Sequence, residues 1–167
     1  MGIGQDLIGH VHDIKYDSLP EEARDRAKYF LLDYFGVALR ASETGSSRVF
    51  YNFVKKHAPQ GPCRLVGALT LTDAPNAALA NGGIAHAIEM DDVTTRSSLH
   101  PAVSVMPSTL ACAEAHNPDP KRVIEAIVAG YEVTNRVGNA INPKSHYERG
   151  FHPTGTCGTF ASSVTAS

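Results

Sequence analysis

Between Asn76 and Glu89 the chain reads NAALANGGIAHAIE, a run dominated by alanine and glycine. Side chains this small, repeated over several turns, let a second backbone approach closely. The run is therefore expected to be a central, tightly packed helix. Asp73 is a candidate N-cap for it, with Pro75 in the first turn, and the Gly82-Gly83 pair is a candidate kink.

Other segments repeat the helical period. Ser18-Leu19-Pro20-Glu21 has the form of a capping box and opens a helix to about Ala41, with Ala27, Phe30, Leu31, Tyr34 and Ala38 as its apolar stripe. After Gly45-Ser46-Ser47, the residues Val49, Phe50, Phe53, Val54 and His57 recur at helical spacing until Ala58-Pro59-Gln60-Gly61-Pro62. Cys63 to Val66 reads as extended but is too brief to found a sheet. Pro101 opens AVSVMPSTLACAEAH, which Pro107 kinks or restarts. Asn117-Pro118-Asp119-Pro120 caps a long helix with two apolar stripes, stopped by Asn142-Pro143. KSHYERGFHPTGTCG then reads as a loop, and TFASSVTAS as the first turns of an unfinished helix. With no period-2 run and no repeat, the expectation is one all-α domain over 1–167, incomplete at its C-terminal end.

Composition narrows the partners. With 167 residues, 43% of them hydrophobic, the chain is long enough for one core. Fifteen basic residues against 17 acidic ones, with no basic block, argue against nucleic acid. Three widely spaced cysteines read as reduced thiols in a cytoplasmic protein, and neither a signal peptide nor a membrane span is visible. Gly2 invites a myristoylation reading, but Asp6 stands where that motif wants Ser or Thr.

Chemistry concentrates in HAIEMDDVTTRSSLHP, His86 to Pro101. Such a polar run either lies in solvent or lines a pocket whose ligand satisfies it. On a helix, His86 and Glu89 would share a face. His100, held extended by Pro101, would sit beside the next helix's N-terminus. With Arg96, Ser97 and Ser98 nearby, that terminus suits an anion such as a carboxylate. Spacing alone leaves the other reading open: Asp91 and Asp92 solvated, His86 a hydrogen-bonded core histidine, and the loop exposed. His86, Asp91, Asp92 and His100 are also metal-ligand types. Their spacing matches neither HExxH nor a paired Cys/His knuckle, so a metal ranks below an anion pocket. A second constellation, Arg149 to Thr156 (RGFHPTGT), repeats the His-Pro junction at His152 and adds Thr154, although Gly/Pro/Thr turns are commonly structural. Spacing does not show whether the two loops meet.

Taken together and in order, LLDYFGVAL, NGGIAHAIEMDD, LHPAVSVMPSTLACAEA, AIVAGYEVTNRVG and GFHPTGTCGTFA resemble the N-terminal part of the MmgE/PrpD family. Its activities include 2-methylcitrate dehydratase, cis-aconitate decarboxylase and iminodisuccinate epimerase. The resemblance implies an all-helical domain, small di- or tricarboxylate substrates, no cofactor, metal or iron–sulfur cluster, and usually a homodimer. It marks His100, His152, Asp91 and Asp92 as catalytic, and the chemistry of the residues themselves adds a substrate-binding set of Arg96, Ser97, Ser98, Glu89, His86 and Thr154. Glu89 and Val93 depart from the decarboxylase-like pattern of aspartate and threonine, which draws the chain toward the epimerase-like and uncharacterised branches. The family's second, α+β lid domain supplies a lysine in a K-x-x-H-x-G-type motif that this sequence does not contain. The expectation is therefore a truncated lyase or isomerase with little turnover alone. The alternatives are a non-catalytic or split-enzyme helical subunit, completed by a second copy or a separately encoded lid, and, below it, a metal-dependent hydrolase.

Overall fold

A computed structural model describes residues 2–167. In chain order the helices are α1 (Ile3–His12), α2 (Glu21–Ala41), α3 (Gly45–His57), α4 (Ala74–Ala85), α5 (Ala102–His116), α6 (Pro120–Ala140), α7 (Pro143–Glu148) and α8 (Pro153–Thr165). Between α3 and α4, β1 (Cys63–Arg64) and β2 (Leu71–Thr72) pair antiparallel, Cys63 opposite Thr72. The fold is all-α, as the periodicity required. No described helix is long and apolar enough to cross a membrane.

The small-residue run does become central. Ala77, Ala80, Ile84 and Ala85 of α4 are fully or almost fully buried, and a Cβ added to Gly82 would lie 2.6 Å from the Val103 carbonyl oxygen of α5. Pro107 explains why that oxygen is open to approach. It lies inside α5, has no N–H to give the carbonyl four residues back, and that carbonyl belongs to Val103. α5 continues through Pro107 without restarting. The next carbonyl, Ser104, accepts from the hydroxyls of Ser108 at 2.6 Å and Ser162 at 3.2 Å. One core joins α2, α4, α5, α6 and α8 through Tyr34, Ala38, Ala85, Met106, Ile127 and Ala161. A smaller one packs Val54, Cys63, Leu65, Ala80 and Ala111 under the hairpin.

Four expectations need correcting. The Ser18 capping box does not form: Ser18 lies in a short 3-10 turn (Tyr16–Ser18), its hydroxyl donates to Lys15 O, and α2 begins at Glu21. Gly45-Ser46-Ser47, expected to break the chain before α3, form its first turn, capped by Thr44, whose Oγ1 accepts from Ser47 N–H. Residues 144–158, read as a loop, hold most of α7 and the start of α8, because Pro143 and Pro153 occupy first-turn positions where a missing N–H is harmless. α1, which has no buried residue, was not anticipated.

Tyr34 offers a simple stability test. Its hydroxyl is buried with no protein partner, and burial pushes its pKa up. Tyr34→Phe removes only that oxygen, so chemical denaturation should show unchanged stability or a gain of about 1 kcal/mol. A loss of that size would show that water satisfies the hydroxyl.

Candidate functional site

α4 stops at Ala85, and His86 is its C-cap. The expected helical face shared by His86 and Glu89 is therefore absent. The chain turns back after His86, and Glu89 adopts a left-handed conformation (φ 53°), with its carboxylate 3.7 Å from His86 Nε2. Two residues on, Asp91 folds inward and is buried. Its Oδ2 accepts from His86 Nδ1 at 3.0 Å and also lies 3.0 Å from His100 Nδ1. One carboxylate oxygen thus faces two imidazoles whose ring centres are 5.0 Å apart.

Asp92 separates from Asp91. Its Oδ1 accepts from the Ala102 N–H at 2.9 Å and its Oδ2 from the Tyr131 hydroxyl at 2.7 Å. The anion site expected at the N-terminus of α5 is thus already served, at its first amide, by the protein's own carboxylate. The same bonds remove Asp92 from the four-residue ligand set. Ligand atoms of His86, Asp91 and His100 lie within 4.8 Å of one another, a spacing that suits a shared proton or a cation.

Residues 94–99 form a tight turn closed by a Thr94–Leu99 bridge, with Ser98 left-handed (φ 51°). Leu99, fully buried, anchors the turn and delivers His100 beside Asp91. Ser97 is taken up by contacts within the protein. It is fully buried, and its hydroxyl donates to Asn135 Oδ1 at 2.8 Å, tying the turn to α6. Arg96 is exposed near the tip and, among the described residues, forms no ion pair.

The two His-Pro loops do meet. The His100 N–H donates to Thr154 Oγ1 at 3.0 Å, so Thr154, expected on substrate, is a buried link between loops. His152, exposed at the N-cap position of α8, has its ring centre 6.1 Å from that of His86. Tyr147 stands edge-on to His152 at 5.7 Å and donates its hydroxyl to Ser98 O at 3.2 Å. Tyr147, Tyr131 and Asn135 were missed from the sequence. Only Tyr147, close before GFH, carried any signal. A cavity of about 550 Å³ opens beside His86 between α4, α5 and α8, walled by Gly82, Val103, Ser104, Thr154 and Gly155. That size suits a small molecule.

His86 titrates above its ordinary value. The hydrogen bond that His86 donates to Asp91 is the main cause, aided by the charges of Asp91 and Glu89 and opposed by burial. Burial raises the Asp92 carboxyl despite the Tyr131 and Ala102 donors. In both cases the folded state holds its proton more tightly than the unfolded one. The His86 contribution is thus complete below about 6.5, the unfolded value, and is lost as pH rises through the folded value. Urea denaturation should show stability falling as pH rises above about 6.5, with a shallower fall in His86→Gln. Equal slopes in the two proteins would contradict this assignment.

A family model described as the MmgE/PrpD N-terminal domain matches residues 5–167. The chain belongs to the MmgE/PrpD family. It is similar to a cis-aconitate decarboxylase-like protein of Aspergillus oryzae, 27% identical over 169 residues, covering 97% of this chain and 35% of that protein. It is also similar to a cis-aconitate decarboxylase of Aspergillus terreus, 27% identical over 156 residues, covering 90% and 32% respectively. The chain therefore spans about a third of the length of the curated relatives it matches. Within this MmgE/PrpD domain, His86, Asp91 and His100 come from the α4–α5 connection and His152 from the start of α8.

Proposed function

We propose that this MmgE/PrpD domain forms one wall of a site for small di- or tricarboxylates, serving lyase or isomerase chemistry by proton removal next to a carboxylate. The observation that carries the reading is Asp91 Oδ2, 3.0 Å from both His86 Nδ1 and His100 Nδ1. An acid anchored on Nδ1 fixes the tautomer and leaves Nε2 for chemistry. His100 and His152 are the acid/base pair; Asp91, hydrogen-bonded to His86 Nδ1, sets its carboxylate 3.0 Å from His100 Nδ1, where its charge favours the imidazolium. Protonated His86 and Arg96 attract substrate carboxylates, while Asp92 holds the start of α5. Glu89, exposed with its carboxylate 3.7 Å from His86 Nε2, tempers that positive charge. Dehydration, decarboxylation and epimerisation all build negative charge beside a carboxylate, which needs a base and nearby cations.

The second wall, with its lysine, belongs on this reading to a lid domain or partner chain, and this domain alone turns over little substrate. The relatives' threefold greater length supports that division. Three free thiols suit a reducing cytoplasm. Thermal unfolding with citrate as probe tests the wall. At ten times Kd a ligand confined to the folded state adds about 1.4 kcal/mol, or roughly 3 to 6 °C. The expected result is such a rise in wild type that disappears in His100→Ala. No rise, or an undiminished rise in the variant, contradicts the reading.

A further inference from the structure

The histidine cluster leaves two of its buried polar atoms without partners. Asp91 Oδ1 and His100 Nδ1 are both shut away from solvent and have no hydrogen-bond partner among the described residues. His100 Nδ1 is 3.0 Å from Asp91 Oδ2, close enough for a hydrogen bond, but is not directed along one. The Asp91 side chain is 2% exposed, so its unpaired oxygen keeps the desolvation cost of burial with nothing to offset it. An occupant that satisfies both atoms must take a carboxylate oxygen and a nitrogen lone pair together.

We propose that His86, Asp91 and His100 form a site for a divalent transition-metal ion of the zinc class, held by the two Nδ1 atoms and the carboxylate. One ligand atom from each residue lies within 4.8 Å of the others, and each Nδ1 is 3.0 Å from Asp91 Oδ2. Two atoms that each sit about 2.1 Å from a metal are about 3.0 Å apart at a right angle and about 3.4 Å at the tetrahedral angle, so shifts of a few tenths of an ångström admit the ion. Two imidazoles with one carboxylate suit zinc or ferrous iron, whereas calcium and magnesium take oxygen ligands. Glu89 supplies an outer support. Its carboxylate stands 3.7 Å from His86 Nε2, where it favours a proton on that nitrogen and so a free lone pair on Nδ1. His86 also lines the cavity beside α8, which gives an ion a way in. Sequence spacing concealed the set because the chain doubles back at Glu89 (φ 53°) between the first two ligands. On binding, the ion replaces the proton on His86 Nδ1, which leaves to solvent. Metal-bound and proton-bearing clusters are thus alternatives at one carboxylate, and the metal site does not rest on the carboxylate reading.

Isothermal titration of the chelator-treated chain with zinc chloride at neutral pH, with no carboxylic acid present, tests it. The wild type is expected to bind one ion here, and His86→Ala, His100→Ala and Asp91→Asn each to weaken binding tenfold or more. Glu89→Gln, which removes only the outer support, should weaken it by about tenfold. NMR of the unsubstituted chain gives a readout that no folding defect can mimic. The ring signals of His86 and His100 should move with the first equivalent of zinc, while those of the exposed His10, His57 and His116 stay in place. Cobalt(II) chloride should likewise give a visible absorption band in the wild type that the three ligand variants lack. No uptake, as expected if water alone bridges the two unpaired atoms, would overturn the proposal. So would uptake indifferent to the three ligand substitutions, uptake abolished instead by Cys112→Ser, or first-equivalent shifts at the exposed histidines. Because the titration contains no acid, its failure and the failure of the citrate experiment are separate results.

Discussion

Asp91→Ala is expected to release two imidazoles at once. Both Nδ1 atoms sit 3.0 Å from Oδ2 of this single buried carboxylate. Removing one partner of a buried pair leaves the other desolvated and uncompensated, so the loss at pH 6 should be about 3 kcal/mol. As pH rises and His86 gives up its proton, the loss should be smaller. The His86 titration, followed by NMR, should return toward 6.5, since its principal cause is gone. Asp92→Asn is the matched control. It breaks the contacts to Ala102 and Tyr131 and should also destabilise, yet leave the His86 titration nearly in place. An unmoved His86 titration in Asp91→Ala would remove Asp91 from its orienting role. In the complete enzyme, on the proposed chemistry, a wrongly oriented His100 should lower kcat by about 10² to 10⁴.

The second large effect is expected at Gly82. Its missing side chain faces the Val103 carbonyl at 2.6 Å and the Pro107 ring at 3.5 Å, neither able to rotate away. Gly82→Val must push α4 off α5. Overpacking against backbone should cost about 3 kcal/mol, a fall in Tm of roughly 6 to 12 °C. Gly36→Ala, in open space, should instead stabilise each folded chain by up to about 1 kcal/mol. Calorimetry of both variants separates a glycine needed for close approach from one that is not. A Gly82 variant as stable as wild type would show that the two helices need not touch there.

Much of this was legible because it follows from local chemistry. Small side chains between Asn76 and Ala85 predicted close packing, and the His100-Pro101 junction predicted an extended histidine at a helix start. Asp91 and Asp92 show where local reasoning stops. Adjacent in sequence and alike in charge, they diverge because consecutive residues off a helix point apart, one toward two histidines and the other toward α6. Ser97 and Thr154 are equally instructive. Their hydroxyls suit a ligand in composition, but tertiary contacts with Asn135 and His100 claim them first. The segment before α8 was misread because proline and glycine look the same in a turn and in a first helical turn.

Thr154 also couples the histidine cluster to the most distant part of the fold. The His100 amide proton is held by a residue 54 positions later, so it becomes exposed whenever α8 lifts from its seat. Its deuterium exchange therefore reads, at one atom, how often the two histidine loops part, and whatever clamps α8 in place will slow that exchange without touching His100.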